Sequence, residues 1–558
     1  MKIYEINIIY NIILYNIIIE KIKYIKECFM SKGYLALVLH AHLPYVRHPE
    51  HENFLEEEWL YEAITETYIP LLDAYDRMVN DGINFKITMS VTPPLMNMLA
   101  NELLQNRYVN YIEKLIKLAE MEVERTSLDP NFHHTAEFYR DKFIKIRDIF
   151  VYKYNKNLLN GFRYFLERGN LEIITCGATH GFFPFMQEYP KAIEAQLKMA
   201  VKTHEKHLGR KPTGIWLGEC GFFPGLEKHL ANNGIKYFFV DTHGIMYADR
   251  VPKYGVYAPL YCSRESRVAA FGRDIESSRS VWSAEVGYPG DPRYREFYRD
   301  IGYDLPFEYI KEFIQSNGLR KNTGIKYYRI TGKDCAKEPY NPEWAMEAAG
   351  EHSGNFMFNR EKQIEYLASV MDDRPPIVVS PYDAELFGHW WYEGPMFIEF
   401  LMRKIHHDQN TIETITPKEY LERHPINQIS MPSMSSWGAN GYGEVWLNGT
   451  NGWIYRHLHK AAERMIELAH DYYNETGLYE RALNQAAREL LLAQSSDWAF
   501  IMHTGTMVDY AVNTTKLYIK RFTDLYYAIK NRDLNEEWLS KLEWRDDIFP
   551  EMDFRIYS

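Results

Sequence analysis

The chain alternates between short, nearly continuous apolar runs and longer amphipathic stretches. Seven runs stand out, at residues 35–40, 85–92, 171–176, 213–218, 236–241, 268–272 and 376–381. Runs without polar alternation predict strands buried on both faces, and hence a parallel sheet with helical crossovers. Polar or ionisable residues stand at or just past the run ends: His40, His42, His180, Glu219, Asp241, His243, Arg273 and Asp383. Such groups at the C-terminal end of strand after strand predict an α/β fold, a distorted TIM-like (β/α)7 barrel with one strand fewer than the usual eight.

Helical periodicity fills other parts of the chain. Between the second and third runs, residues 100–168 are polar with a helical repeat over 108–122 and 135–158, which predicts an inserted helical subdomain. Residues 283–355 are rich in Gly, Pro and Tyr and predict long loops over the barrel mouth. From about 425 the pattern becomes helical again over 453–475, 479–494 and 507–531. We therefore expect a catalytic barrel over 30–424 and a C-terminal helical domain over 425–558 that contributes to the substrate cleft. Residues 1–29 are rich in Ile but repeatedly interrupted by Asn, which suits neither a membrane helix nor a cleaved signal. The expectation is a poorly ordered extension, or translation that begins at Met30.

Composition narrows the function. The 558 residues are 46% hydrophobic and 25% charged, as in an ordinary globular enzyme. The net charge of −12 and the lack of a long basic run argue against a nucleic-acid partner. The five cysteines are scattered with no CxxC pair, so neither a zinc site nor a disulfide framework is predicted, and a reducing cytoplasm is expected. Aromatic content is 15%, and most such rings belong to cores, but ring faces also stack on sugars.

Two run ends carry carboxylates among rings. Glu219 lies in Trp216-Leu-Gly-Glu219-Cys220-Gly-Phe-Phe-Pro224, and Asp383 in Ser380-Pro-Tyr-Asp383-Ala-Glu-Leu-Phe-Gly-His-Trp-Trp-Tyr392. Two carboxylates delivered to one mouth meet the needs of glycosidic bond chemistry. One attacks or stabilises the anomeric carbon, and the other protonates the leaving oxygen.

Other candidates surround this pair. His40-Ala-His42-Leu-Pro44 follows the first run, and His180 follows the third. His-x-His occurs in zinc sites, but no acidic residue lies nearby in sequence to complete a ligand set. Sugar-hydroxyl binding by neutral imidazole is the preferred reading over metal ligation and packing, and no metal is assigned. The Gly-bounded segment 241–255 is either an ordinary connection or a lid carrying Tyr247, with Tyr254 and Tyr257 as rivals. Arg273 either sets a carboxylate's ionisation or forms a solvated ion pair. The segment Ser435-Ser-Trp437-Gly-Ala-Asn-Gly-Tyr-Gly-Glu-Val-Trp446 reads as a sugar platform, and Asp497 is a further candidate for the cleft.

Taken together, five motifs resemble glycoside hydrolase family 57, and within it the enzymes that branch 1,4-α-glucans. They are His40-Ala-His-Leu-Pro44, Ala178-Thr-His180-Gly, Trp216-Leu-Gly-Glu219-Cys, Tyr382-Asp383 with the His-Trp-Trp that follows, and Ser436-Trp437-Gly through Trp446. The resemblance spans about 33 to 533. It implies a retaining enzyme with Glu219 as nucleophile and Asp383 as general acid/base, needing no metal or organic cofactor. It implies that His40, His42 and His180 line the subsite of the cleaved glucose, that Tyr247 shields the intermediate, and that Trp282, Trp437 and Trp446 stack on the glucan. The implied partner is an α-glucan, with no nucleic acid and no membrane, for a monomer or small homo-oligomer. Its rivals are an α-amylase or 4-α-glucanotransferase of the same family and, from another class, a metal-dependent hydrolase or deacetylase built on the histidines. The chain departs from the family at Gly218, where many relatives carry proline before the nucleophile.

Overall fold

The computed structural model describes residues 31–283, 286–314, 318–332 and 335–558. The expected extension over 1–29 lies outside the described residues. Ten strands form two sheets: β1 (Gly33–Ala41), β2 (Ile87–Val91), β3 (Leu171–Ile174), β4 (Gly214–Ile215), β5 (Tyr237–Val240), β6 (Leu260–Tyr261), β7 (Ala269–Gly272), β8 (Ile377–Asp383), β9 (Ile412–Thr414) and β10 (Gln428–Ile429). The first sheet runs β3-β2-β1-β8, with β9 added beside the start of β1. The second runs β10-β6-β7-β5-β4. All pairings are parallel except β6 with β7. Each of the seven apolar runs contains a strand. All nine residues of β1 are buried, as a central parallel strand covered on both faces requires.

The arrangement differs from the expected closed barrel in its ladder, which falls into two sheets. The cause lies at β4, which keeps regular pairing for only two residues before the chain turns to present Glu219. Contact between the sheets is reduced there to one bridge: Thr175 N–H donates to the Gly214 carbonyl at 3.3 Å, and Trp216 N–H donates to the Thr175 carbonyl at 2.8 Å. On the other side, Asp274 N–H donates to the Val379 carbonyl at 2.9 Å, joining the end of β7 to β8.

Helices Glu102–Arg125, His133–Asp148 and Leu159–Arg168 occupy the stretch between β2 and β3. The expected loop over 283–355 is corrected at its C-terminal end. From Pro342 the chain enters the 29-residue helix Pro342–Val370, started by the Asn341 side chain capping Trp344 N–H and by proline in the first turn. Its buried positions include Ala345, Ala348 and Ala349, small residues that a search for large apolar stripes overlooks. C-terminal helices form at Tyr455–Asp471, Leu478–Ala493 and Val508–Lys530, and two unpredicted ones at Ser496–Thr504 and Glu536–Arg545. Among the described residues, no helix is long and apolar enough to cross a membrane.

Candidate active site

Glu219 and Asp383 reach the site from the two sheets. Asp383 ends β8 and stands in register beside His40 of β1. Glu219 follows β4 in a left-handed backbone conformation (φ 59°), as do its neighbour Cys220 (φ 51°) and His180 (φ 61°). Non-glycine residues in this region carry on the order of 1–3 kcal/mol of strain each. Three at two adjacent strand ends, those of β3 and β4, show that surrounding structure fixes these side chains where the chain alone would not.

Both Glu219 oxygens are held by residues from the C-terminal third. Ser496 Oγ donates to Oε1 at 2.9 Å, and Trp437 Nε1 donates to Oε2 at 2.8 Å. Ser496 Oγ also lies 2.8 Å from His180 Nδ1, so it bridges histidine and carboxylate. His180 Nε2 pairs with His40 Nε2 at 2.9 Å, and the His42 ring stacks on His180 at 3.9 Å. Beneath them, His40 stacks on Trp216 at 4.6 Å with an interplanar angle of 8°. His42 is fixed by Thr92 Oγ1 on Nδ1 at 2.9 Å and by the Asp497 carboxylate on Nε2 at 3.0 Å.

Burial raises both carboxylates, and they differ in the partners around them. Burial lifts Glu219 to about 7, while the Trp437 and Ser496 hydrogen bonds favour its ionised form. Burial first, then the charges of Glu385 and Glu219, push Asp383 well above the usual carboxylate range, against the pull of Arg273. Burial, with repulsion from His42, takes His180 down to about 3; burial, with repulsion from His180 and His42, also holds His40 well below the usual imidazole value. Both are neutral hydrogen-bonding rings at ordinary pH. Burial opposes the charge of Asp497, but His42 holds that carboxyl down to about 2.

The other predicted residues divide. Arg273 donates from Nε to Ser278 Oγ at 2.8 Å and lies 3.6 Å from Asp241. With Asp241, Tyr247 and Trp282 it lines a cleft of about 580 Å³. Tyr247 is 68% exposed there, at the end of the short helix Thr242–Met246. Its rivals are tied elsewhere: Tyr254 OH donates to Asp372, and Tyr257 OH donates to Asp274 at 3.3 Å. Trp437 packs edge-on against both Trp216 and Trp282. Trp446 is not brought to the open cleft. It is 2% exposed and stacked on Phe182 at 5.2 Å, because the turn at Gly438 folds the platform segment back on itself.

Sequence reasoning missed Glu385 as a site group and did not single out Ser496 beside its candidate Asp497. Glu385 accepts from His42 N–H at 3.2 Å and from Tyr68 OH, which a π-helical turn at Ile64–Tyr68 directs inward. It lies inside the Asp383 motif, which was the available signal. Nothing in the sequence pairs Ser496 with Glu219 across 277 residues. The ligand count for a metal is also corrected. Asp497, remote in sequence, brings its oxygen within 4.8 Å of nitrogens on His42 and His180. Those atoms are already hydrogen-bonded to each other or to His40, as a positioning network would have them.

The profile of glycosyl hydrolase family 57 matches residues 36–432, and that of the 1,4-alpha-glucan branching enzyme C-terminal region matches 457–557. The chain is 33% identical to the 1,4-alpha-glucan branching enzyme TK1436 of Thermococcus kodakarensis, over 93% of this chain and 77% of that protein. It is 51% identical to the structure described as the alpha-amylase AmyC from Thermotoga maritima, with a TM-score of 0.88 over 94% of this chain and 99% of that one. The family 57 branching enzyme structure from Pyrococcus horikoshii is 35% identical, with a TM-score of 0.84 over 94% and 97% of the two chains.

Proposed function

The chain belongs to glycosyl hydrolase family 57, and on that premise we propose that it is a 1,4-α-glucan branching enzyme that cleaves an α-1,4 link and rejoins the freed end as an α-1,6 branch. The observation that carries this reading is the two-point hold on Glu219 by Trp437 and Ser496, which makes residues of the C-terminal third part of the reaction centre. Ser496 lies within the stretch that matches the branching-enzyme C-terminal profile.

The chemistry follows from the two environments. Glu219, its oxygens held by donors, attacks the anomeric carbon as the carboxylate. Asp383, among other carboxylates, keeps its proton until the leaving 4-oxygen takes it. This gives a glycosyl-enzyme ester on Glu219 and a free chain end. The 6-hydroxyl of a second glucan then attacks the same carbon, Asp383 accepts its proton, and the ester breaks. Two inversions give net retention. Burial keeps His40 and His180 neutral, whereas His42 is raised against burial by Asp497; the three stacked rings wall the subsite for the sugar, and Tyr247 and Trp282 face the adjoining cleft for the glucan. We read the two bridged sheets as one distorted seven-stranded barrel, with 425–558 as the domain that completes the site. Four free cysteines among the described residues support a reducing, cytoplasmic setting.

A second reading, hydrolysis, is favoured by the relative from Thermotoga maritima described as an alpha-amylase. Both readings share every step up to the ester and differ in whether water or a glucan takes it. The test is to incubate amylose with the wild type and with Glu219→Gln, counting reducing ends before and after debranching. New α-1,6 links with little free reducing sugar, absent in the variant, establish branching. Reducing ends that accumulate without branch points establish the hydrolase.

A further inference from the structure

Two adjacent tryptophans follow Asp383 and have opposite fates. Trp391 is buried at 2% exposure, whereas Trp390 is 57% exposed. An indole kept in water forgoes the burial that would otherwise favour an inward position. This one is also held rigidly. Gly388 has φ 125°, and a Cβ there would meet the Glu66 carbonyl oxygen at 2.0 Å. Gly388 N–H donates to the Trp391 carbonyl at 2.7 Å, closing the turn. His389 Nδ1 pairs with Glu66 Oε2 at 2.7 Å. The Trp390 backbone N–H donates to the Glu385 carbonyl at 3.2 Å, which ties its backbone to the turn that carries Asp383.

The ring has a built support. Trp390 stacks on Phe297 with centroids 4.6 Å apart at 24°. The Lys326 ammonium lies 4.4 Å from the Phe297 centroid, and the lysine is itself buried. Tyr298, 80% exposed, packs edge-on against Phe297. The result is an aromatic ledge anchored from below and open above. It is continuous through Glu385 with the catalytic turn but uses none of the residues assigned to the cleaved glucose.

We propose that Trp390, supported by Phe297 and flanked by Tyr298, is a stacking subsite for an α-1,4-glucan chain several glucose units from the cleaved link, and that it sets a preference for long chains. The inference rests on the α-glucan reading above. A glucose ring presents a C–H face that packs on an indole while its hydroxyls stay in water. A chain long enough to reach the ledge gains this contact, and a short one does not. Lys326 is buried, so the exposed part of the ledge is the rings of Trp390 and Tyr298, which favours a sugar over an ionic ligand.

The test compares wild type, Trp390→Ala and Trp390→Tyr. The first measurement is kcat/KM for amylose relative to maltoheptaose, counted as total bond cleavage so that branching and hydrolysis are read alike. The ratio falls about tenfold in Trp390→Ala, the scale of one lost aromatic contact, and is largely restored in Trp390→Tyr. The second is retardation by glycogen in a native gel, run in the Glu219→Gln background so that no turnover intervenes. Retardation weakens in Trp390→Ala and returns in Trp390→Tyr. An unchanged ratio and equal retardation overturn the ledge while leaving the α-glucan reading intact. A molar mass that drops in Trp390→Ala with glycogen retardation unchanged makes the ledge a contact between copies and likewise overturns the proposal. A wild type that neither cleaves nor binds any α-glucan overturns both readings.

Discussion

Trp437 holds Glu219 at both ends: its indole Nε1 donates to the Oε2 carboxylate oxygen at 2.8 Å, and its backbone N–H donates to the Glu219 carbonyl at 2.9 Å. The indole bond opposes burial, which lifts the carboxyl to about 7. Attack needs the ionised form, so activity is lost as pH falls through that value and gained as it rises. Trp437→Phe removes the donor and leaves burial in place. The acidic limb of kcat/KM against pH then moves up by about one to two units, the scale of a hydrogen bond to a charged group. A limb that stays in place would mean that another group sets it.

Asp383 has the reverse requirement. It must carry a proton when the leaving oxygen departs, and Glu385 two residues on helps keep that proton in place. Asp383→Asn lowers kcat on amylose by about 10²–10⁴. An α-maltosyl fluoride donor, whose leaving group needs no proton, recovers most of the loss in formation of the ester. Glu385→Gln removes a neighbouring negative charge, so the Asp383 proton is lost at lower pH. The alkaline limb therefore moves down while the acidic limb, set by Glu219, moves less. Equal movement of both limbs would show that Glu385 does not act through Asp383.

The parts of this molecule that were legible in the sequence are those written in local pattern. Continuous apolar runs located β1, β2, β3, β4, β5, β7 and β8, and His40, Glu219 and Asp383 stand at or just past the ends of three of them, because a buried parallel strand leaves only its end for chemistry. Contacts that depend on tertiary closure were not legible. Ser496 reaches Glu219 only when the helix Ser496–Thr504 docks on the β3 end, and Asp497 reaches His42 by the same docking. The start of the helix Pro342–Val370 escaped because the buried positions of its first turns are small: Ala345, Ala348, Ala349 and Ser353. Trp446 was read as a platform from its glycine-rich surroundings, yet those glycines let the segment fold over and cover it.

The cluster of His42, His180 and Asp497 invites a metal, and its hydrogen bonding argues for a different use. His42 Nδ1 is taken by Thr92 and Nε2 by Asp497, while His180 is taken at both nitrogens by Ser496 and His40. An ion would have to displace these partners. Prolonged dialysis against a chelator therefore leaves amylose turnover unchanged, and elemental analysis of the purified protein finds far less than one zinc per chain. A loss of activity restored by one metal would reverse this assignment and favour the metal-dependent hydrolase.

Gly218 offers the sharpest test of how the strand end is built. A Cβ at this position would stand 2.7 Å from the Gly181 carbonyl oxygen and 3.1 Å from that of His180. Both contacts are backbone, so no side chain can swing aside to make room. The close approach joins two turns that each hold a left-handed residue of the site, His180 and Glu219. Gly218→Ala must separate them, stretching the Ser496 bridge of 2.8 and 2.9 Å that links the imidazole to the carboxylate. Displacement of a reacting group by even about 1 Å can lower turnover on the order of 10²-fold. We expect kcat to fall on that scale while glycogen retardation in a native gel, read through remote parts of the chain, is retained. Gly218→Pro places a carbon at the same point and shows the same split. Full activity in both variants would show that the two turns can part without cost, and that their contact does not position Glu219.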